Sequence, residues 1–272
     1  MLRIYAFYFL LFLLPAIAFS QTPELVADLN AAGNGFDQFK TTFLTIGSKT
    51  VVVADNGLTG FELYVLENNS LSLLKDIFPN LTSSQPASFA LVNDKIYFAA
   101  NDSLHGRELW VTDGTTAGTT LAYDLTPGPD SGNPINLTAS ESGRLFFEKD
   151  HKLYTLTTGS APVLLSAPPY VTLSPDFNSV GAKVVPFKNG IAFVAQDGAN
   201  PSFNQIWTSD GTPGGTLKVK SYPATFYRGM HGLMALADKV VFTIDNAFAP
   251  ADTINGLYAS NGLSSGTVKL VA

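Results

Sequence analysis

The chain has 272 residues, 14% of them charged, with a formal net charge of −6 and no cysteine. The acidic balance excludes the basic footprint that nucleic-acid binding needs, and the lack of cysteine excludes disulfides and a lipid-modified N-terminal cysteine. Stability must then come from the burial of apolar side chains. The chain is long enough for one large all-β domain or two small ones, and either can bury a sufficient core.

The N-terminus predicts a secretory signal peptide over residues 1–20. Arg3 precedes an apolar run over residues 4–19, and small residues, Ala18 and Ser20, close it. A basic start, an apolar core and small residues at the recognition positions are typical of such a peptide. The alternative is a membrane anchor, but a bilayer span needs about 20 apolar residues. We expect cleavage after Ser20 and no membrane span in the mature chain.

A pattern of four short apolar runs repeats five times in the rest of the chain. The position that opens the second run of each copy recurs at steps of 46, 49, 46 and 49 residues. A self-similar unit at such a spacing decides the fold before any single residue does. These five anchor positions are Lys49, Lys95, Arg144, Gly190 and Lys239.

Each run predicts a β-strand. The run after each anchor is rich in aromatic and β-branched residues, and turn residues such as Asn93-Asp94 join it to the run before, which predicts a hairpin. The third run places an aliphatic residue beside an aromatic one, so the two side chains point to opposite faces of the strand. The aromatic members are Tyr64, Trp110, Tyr154, Trp207 and Tyr258.

The fourth run follows a turn that is best preserved in two copies. Residues 108–119 are ELWVTDGTTAGT and residues 205–216 are QIWTSDGTPGGT, while the fifth copy has the weaker GLYASNGLSSGT over residues 256–267. The first copy has Asn68-Asn69 at the turn and the third has Thr158-Gly159. The turn residues of the two close copies are Asp113, Gly114, Thr115, Gly118 and Thr119, and Asp210, Gly211, Thr212, Gly215 and Thr216.

Four strands in 46 to 49 residues, repeated five times, is the spacing of β-propeller blades. A sandwich does not repeat its motif at this period, and a β-solenoid usually has a shorter one. We therefore predict an all-β fold over residues 21–272, a β-propeller of about five four-stranded blades. The expected blades are 42–86, 87–134, 135–182, 183–232 and 233–272.

The segments between copies are predicted to lie outside the sheets. Phe78–Pro86 and Thr126–Pro134 are rich in Pro, Gly and Ser, and proline cannot donate to a sheet ladder. Residues 24–29 (ELVADL) resemble the fourth runs, so we expect an extra N-terminal strand that could pair with the last blade and close a ring. The alternative is that the sequence is a fragment of a larger propeller, with more blades beyond Ala272.

The segments Glu108–Trp110, Asp113–Thr115 and Gly118–Thr119 resemble the ELWxxDGT repeat of exported, Bacteroidetes-like bacterial proteins. The copy over residues 205–216 matches nearly as well, and the other three are divergent. The resemblance implies a secreted or surface-associated repeat protein. It implies nothing specific about an activity.

The Asp-Gly-Thr turns are candidate Ca²⁺ ligands through Asp113 and Asp210. A calcium loop needs several oxygen ligands at alternating positions and a late carboxylate, and neither copy has these. The alternative is structural, because Asp-Gly supplies the positive φ of a tight turn and Thr hydroxyls bond nearby backbone groups. We favour the structural interpretation, with no metal and no cofactor.

No constellation of catalytic residues stands out. His105, His151 and His231 fall at different places in their copies, so the repeat does not bring them together. No G-x-S-x-G occurs, and no two carboxylates are singled out as a glycosidase pair. The aromatic residues Tyr222, Phe226 and Tyr227 are either a platform for sugar rings or filling between blades, and we favour the filling.

We expect a secreted or cell-surface scaffold that binds a protein or glycan partner without catalysis. One alternative is a propeller hydrolase or lyase acting on extracellular polysaccharide. Another is a structural segment of a longer adhesin-like protein. The linkers vary in length and chemistry, and they cluster on one face of a propeller. We therefore expect binding at segments such as Thr126–Pro134 and Ser221–His231.

Overall fold

The structure is a computed structural model that describes residues 43–165, 171–173, 184–197, 203–223, 228–246 and 254–271. The expected signal peptide and the expected strand at 24–29 lie outside the described residues. Helix is confined, within those ranges, to one 3-10 turn at Ser264–Gly266.

The described residues form five antiparallel sheets, each built from strands that are consecutive in the chain. The first contains β1 (Leu44–Ile46), β2 (Lys49–Asp55), β3 (Phe61–Glu67) and β4 (Ser70–Lys75). The second contains β5 (Ala87–Val92), β6 (Lys95–Asp102), β7 (Gly106–Thr112) and β8 (Thr120–Tyr123). The third contains β9 (Ile135–Ala139), β10 (Leu145–Lys149), β11 (Lys152–Leu156) and β12 (Val163–Leu164).

The fourth sheet contains β13 (Val171–Leu173), β14 (Val184–Phe187), β15 (Gly190–Asp197), β16 (Phe203–Ser209) and β17 (Leu217–Pro223). The fifth contains β18 (Arg228–Leu236), β19 (Lys239–Asn246), β20 (Gly256–Ser260) and β21 (Thr267–Val271). This arrangement confirms the predicted all-β fold of repeated antiparallel sheets. Four sheets have four strands and the fourth has five, and in each sheet one strand begins at or beside the predicted anchor.

Two strands differ from the expected blade limits: β13 joins the sheet after the one expected, and β18 crosses a limit. β13 pairs with β15 through Thr172 and Gln196, although the limit at residue 182 assigns it to the third blade. β14 pairs with the other half of β15, so the two short strands share the innermost position of the fourth sheet. β18 begins at Arg228, before the limit at 232. The limits followed Pro and Gly content, whereas backbone pairing decides which sheet a strand joins.

Side chains from facing sheets form the core. Separate clusters of buried residues join the first sheet to the second, the second to the third, the third to the fourth and the fourth to the fifth. As predicted, neighbours in the third strand point to opposite faces: Trp110 packs towards the first sheet and Leu109 towards the third. Each inner sheet is therefore apolar on both faces, as a stack of blades requires.

The aromatic residue of the third strand has a fixed partner across the sheet. Phe147 pairs with Tyr154, Phe193 with Trp207 and Phe242 with Tyr258, and the rings of the three pairs are stacked with centroids 5.5, 6.4 and 5.5 Å apart. In the second sheet Phe98 lies opposite Trp110. Such cross-strand aromatic pairs add stability beyond area burial.

No core cluster among the described residues joins the fifth sheet to the first. The side chains of Met234 and Leu236 on the fifth sheet are each 51% exposed, whereas their equivalents Ala90 and Val92 on the second sheet are buried. β21 occupies the outer position of the fifth sheet. A strand at 24–29 would therefore not be needed to give that sheet four strands.

Candidate functional site

Successive turns of an antiparallel meander alternate between its two ends. The turn from first to second strand and the turn from third to fourth strand thus share one end of each sheet, which we call the turn face. Contacts between sheets agree with this: Lys188 Nζ donates to the carbonyl oxygen of Asn261 at 2.8 Å, and the Ser142 hydroxyl to that of Asn189 at 2.7 Å. The opposite end, the linker face, carries the connections between sheets.

The Asp-Gly-Thr residues of the second sheet form a closed loop on the turn face. Asp113 Oδ1 accepts hydrogen bonds from the backbone N–H of Thr115 at 2.9 Å and from its hydroxyl at 2.6 Å, and the hydroxyl bond holds the pKa of Asp113 below its usual value. A Cβ at Gly118 would collide with the same carboxylate. The Thr119 hydroxyl donates to the Thr115 carbonyl at 2.7 Å. These contacts serve the loop itself.

The same loop occurs in the fourth and fifth sheets. Asp210 Oδ1 accepts from the N–H and hydroxyl of Thr212, both at 2.8 Å, and Gly215 lies against that carboxylate. The Thr216 hydroxyl donates to the Thr212 carbonyl. In the fifth sheet Asn261 Oδ1 accepts from the backbone N–H of Leu263 at 3.0 Å. The divergent fifth copy thus keeps the loop because an amide oxygen replaces the carboxylate.

The loop is longer than the tight turn that the sequence predicted. It spans the residues from Asp113 to Thr119 between β7 and β8, and Gly114 takes a φ of +80° within it. A two-residue turn is found instead in the first sheet, where Asn68 and Asn69 have φ of +52° and +57°. Asparagine tolerates these angles better than most residues.

The glycine of each loop also touches the preceding sheet. In the second sheet, a Cβ at Gly114 would lie 3.1 Å from Cδ of Lys49. In the fourth sheet, a Cβ at Gly211 would lie 2.7 Å from Cδ of Arg144. In the fifth sheet, a Cβ at Gly262 would lie 3.0 Å from a ring carbon of Phe187. Three of the loops therefore form contacts between sheets.

The predicted metal and histidine candidates do not assemble a site. No group of three His, Cys, Asp or Glu side chains suited to a metal exists in the part of the chain that the structure describes. His105 Nδ1 lies 2.8 Å from Oδ2 of Asp102, whose hydrogen bond raises the pKa of the histidine. His151 lies 3.2 Å from Glu148, and the side chain of His231 is outside the description.

The aromatic candidates are core residues. Tyr64, Trp110, Trp207 and Tyr258 are 2 to 8% exposed and Tyr154 is half-buried. Tyr222 is 5% exposed and contacts Phe242 and Tyr258 edge to face, so its ring is closed to a sugar. Phe226 and Tyr227 lie outside the described residues.

Sequence reasoning assigned no role to two fully buried glutamates. Glu62 is fully buried and accepts bonds from the backbone N–H groups of Ile77, Phe78 and Ser84 and from the Ser84 hydroxyl. Glu108, also fully buried, accepts from the N–H groups of Leu125 and Gly132 at 2.7 and 2.5 Å. Each glutamate thus fixes the linker to the next sheet.

Burial raises the pKa of Glu62 to about 7 and also raises that of Glu108. Raised carboxyl pKa values often mark catalytic acids. Here, however, each carboxyl group accepts hydrogen bonds from linker N–H groups, and the two carboxyl groups belong to different sheets. The signal in the sequence was their spacing: both are the first residue of the E-L-aromatic triplet, 46 residues apart. In the fourth sheet Gln205 takes this place and accepts from Trp207 Nε1 at 2.9 Å.

The inner strands share a bulge. In three sheets two residues of the innermost strand oppose one residue of the second strand. The first bulged residue has positive φ in each case: Ser88 at +58°, Asn136 at +53° and Gly232 at +60°. The bulges also touch, because the Leu137 N–H donates to the Ser88 hydroxyl at 3.2 Å. Bulges bend a strand and re-aim its side chains.

A concave site of about 760 Å³ opens at the turn face, between the inner strands of the fourth and fifth sheets. Its volume is that of a small-ligand pocket, and most of its lining is apolar. We call it the inner groove. Its lining residues are Glu141, Val185, Pro186, Phe187, Lys188, Gly232, Leu233, Met234, Ala235 and Ala237.

No family model matches the sequence, and no curated protein matches it. Among solved structures, the chain is similar to puromycin hydrolase, with 12% identity and a TM-score of 0.53 over 85% of this chain and 37% of that one. A Mycobacterium tuberculosis puromycin-hydrolyzing peptidase gives 12% identity and a TM-score of 0.54, over 85% of this chain and 36% of that one. The chain thus spans little more than a third of the length of these proteins. The likeness shows the fold, a β-propeller, alone.

Proposed function

We propose that the chain is an exported or cell-surface scaffold that binds a partner in the inner groove and does no chemistry on it. The observation that carries this proposal is the groove itself, a largely apolar concavity of about 760 Å³ on a frame of packed sheets. Ligand sites are commonly concave, mostly apolar and largely preformed.

The frame suits binding because the groove is lined by strands. Val185 and Phe187 come from β14 and Leu233 from β18, and the three side chains are 8, 4 and 4% exposed. Their other contacts lie in the core between the fourth and fifth sheets. Packing therefore holds the groove walls in place before a partner arrives, which lowers the entropy cost of binding.

The proposed site lies at the turn face, away from the linkers that the sequence suggested. The segment Thr126–Pro134 is held by Glu108 through Gly132 on the linker face. The described parts of Ser221–His231 belong to β17 and β18. The inner groove is therefore a candidate distinct from these two segments, and binding at the segments stays a prediction.

Export is supported by the predicted signal peptide and by the resemblance to the ELWxxDGT repeat proteins. Within the described residues, no helix is long and apolar enough to cross a membrane. The buried glutamates Glu62 and Glu108 accept hydrogen bonds from linker N–H groups, which supports a structural role for both.

The absence of cysteine from the sequence gives a clean test. Ala237→Cys places one thiol on the rim of the groove, and Leu58→Cys, at a side chain 72% exposed on the linker face, is the matched control. Each is labelled with an environment-sensitive fluorophore and titrated with peptides and with extracellular polysaccharides. We expect a saturable emission change at residue 237 only.

The same titrations are assayed for reaction products. New reducing ends or unsaturated sugars would overturn the proposal in favour of the hydrolase or lyase. A saturable change at residue 58 alone would move the binding site to the linker face, and no change at either residue would favour the structural segment.

A further inference from the structure

We infer that residues 24–29 pack on the face of the first sheet that is turned away from the second, where they take the place of a preceding blade. We call this face the front face; its residues are Val52, Ala54, Tyr64 and Leu71. The inference does not depend on the inner groove. Two observations carry it, the burial of the front face and the register of the repeat.

The front face is as well buried as the interfaces between sheets. Tyr64 is 2% exposed. Its equivalents in the second, fourth and fifth sheets are 6, 8 and 6% exposed, and they are Trp110, Trp207 and Tyr258. Each of those three rings packs in the core shared with the preceding sheet. The cluster around Tyr64, by contrast, draws only on the first sheet among the described residues. Its cover must therefore come from another segment.

The fifth sheet does not supply this cover. A ring closed between the first and fifth sheets would bury apolar side chains on both. Ala235 packs towards the fourth sheet, so its neighbours Met234 and Leu236 point to the opposite face. Both are 51% exposed. The far face of the fifth sheet is thus open, while the front face of the first sheet is closed.

The register of the repeat points to residues 24–29, which read ELVADL. This run resembles the fourth runs of the first two sheets, and in all three the aspartate precedes the next anchor by a similar number of residues. The pairs are Asp28 and Lys49, Asp76 and Lys95, and Asp124 and Arg144, at 21, 19 and 20 residues. The N-terminal run therefore stands before the first sheet as each fourth run stands before the sheet that follows it.

Two positions of such a run face the following sheet. In the first sheet they are Leu74 and Ile77, which pack in the core shared with the second. In the second sheet they are Ala122 and Leu125, which pack in the core shared with the third. The corresponding residues of the N-terminal run are Val26 and Leu29. Since the sheet that follows them is the first, these two side chains are assigned to the front face.

This segment acts as a cap. In a stack of repeats each unit contacts only its neighbours, and a terminal unit needs a cap to keep its outer face from water. Burial of Val26 and Leu29 against Tyr64 is favourable by the apolar area removed from water. The N-terminal run then belongs to the first sheet, and not to the edge of the fifth, as ring closure would require.

A thiol at residue 54 reports whether the front face is covered, because the natural chain has no cysteine. The matched control is a thiol at residue 100, the equivalent position in the core between the first and second sheets; Ala54 and Ala100 are both 0% exposed. A water-soluble thiol reagent is applied to the mature chain and to a chain that begins at residue 31. We expect the deletion to speed labelling of Ala54→Cys by about tenfold or more and to leave Ala100→Cys unchanged.

Substitutions in the full mature chain locate the contact. Val26→Asp combined with Leu29→Asp should speed labelling of residue 54 as the deletion does. Ala27→Asp adds the same charge at the position aligned with the exposed Tyr123 and should have no effect. Circular dichroism confirms that each variant is folded. If the double variant unfolds, Leu29→Ala replaces it, with a smaller increase expected.

Leu236→Cys tests the alternative of ring closure. If the deletion speeds labelling at residue 236 and not at residue 54, the N-terminal run packs on the fifth sheet and the inference is wrong. Protection of residue 54 that is lost when the mature chain is diluted would identify a second copy as the cover. Equal labelling of residue 54 with and without residues 21–30 would also overturn the inference.

Discussion

Lys49 Nζ in the first sheet donates a hydrogen bond of 3.1 Å to the carbonyl oxygen of Gly114 in the second. The same glycine presents its Cα to the Lys49 side chain, so an anchor residue of one sheet packs on the Asp-Gly-Thr loop of the next. The loop that gives the repeat its sequence signature is thus part of the contact between blades.

Gly114→Val should lower the free energy of unfolding by about 1 kcal/mol or more. The φ of +80° at this residue is strained for a β-branched side chain, and the new Cβ would crowd Lys49. Urea denaturation measures the change. The matched control is Gly214→Val, in the equivalent loop of the fourth sheet, where a Cβ meets nothing within 4 Å.

Calcium should not change the melting temperature of the wild type. The Asp113 carboxylate accepts two bonds from Thr115, and Asp210 two from Thr212, so the loops are complete without an ion. Thermal melts with added Ca²⁺ and with a chelator check this. A large chelator-dependent shift would show that the loops bind metal.

Gly118→Ala should destabilise the protein, and Asp113→Ala should suppress most of that effect. The Cβ added at residue 118 collides with the Asp113 carboxylate, and removal of the carboxylate removes the collision. Asp113→Ala alone should cost about 1 kcal/mol, since it deletes the bonds to Thr115. A double-mutant cycle measures the coupling, and strict additivity would contradict the expected contact.

Glu62 should make stability depend on pH. Its pKa is about 7 in the folded chain and 4.5 as the ordinary value, so between these values the folded chain binds a proton that the unfolded chain has lost. The unfolding free energy should therefore fall as pH rises through this window, by at most about 1.4 kcal/mol per pH unit. The contribution is full below pH 4.5 and lost above pH 7.

Glu62→Gln isolates this effect, because the amide cannot titrate. The difference in unfolding free energy between wild type and variant, measured by urea denaturation from pH 4.5 to pH 7.5, should shrink or reverse with rising pH. A difference that grows with pH would mean that the four hydrogen-bond donors around Glu62 stabilise the ionised carboxylate instead.

Trp207→Ala should cost about 3 to 5 kcal/mol. The indole is 8% exposed, stacks on Phe193 and lies in the core between the third and fourth sheets. Leu104→Ala, on the linker face, should change the unfolding free energy by about 0.5 kcal/mol or less. Fluorescence of Trp110, which both variants keep, follows unfolding; a small loss for Trp207→Ala would contradict its place in the core.

The secreted protein should begin at Gln21. The prediction rests on the apolar run over residues 4–19 and its small-residue end. Intact mass of the protein from the culture medium or cell surface checks it. Recovery of an uncleaved chain in a membrane fraction would favour the membrane anchor instead.

The sequence by itself determined the strands and their repetition. Period-two patterning and turn residues are local signals, so the runs after Lys49, Lys95 and Lys239 identified second strands, and the spacing of 46 to 49 residues identified blades. The pairing of Phe193 with Trp207 also follows from register once the hairpin between them is known.

Tertiary structure alone decided the roles that depend on distant residues. Glu62 bonds to residues 15 and 22 positions ahead, and Asn261 completes its loop although its copy of the motif is weak. The inner groove combines Glu141, Phe187 and Leu233 from three sheets. Such contacts form only when the sheets pack, because the local sequence around a residue does not specify which distant residues will contact it.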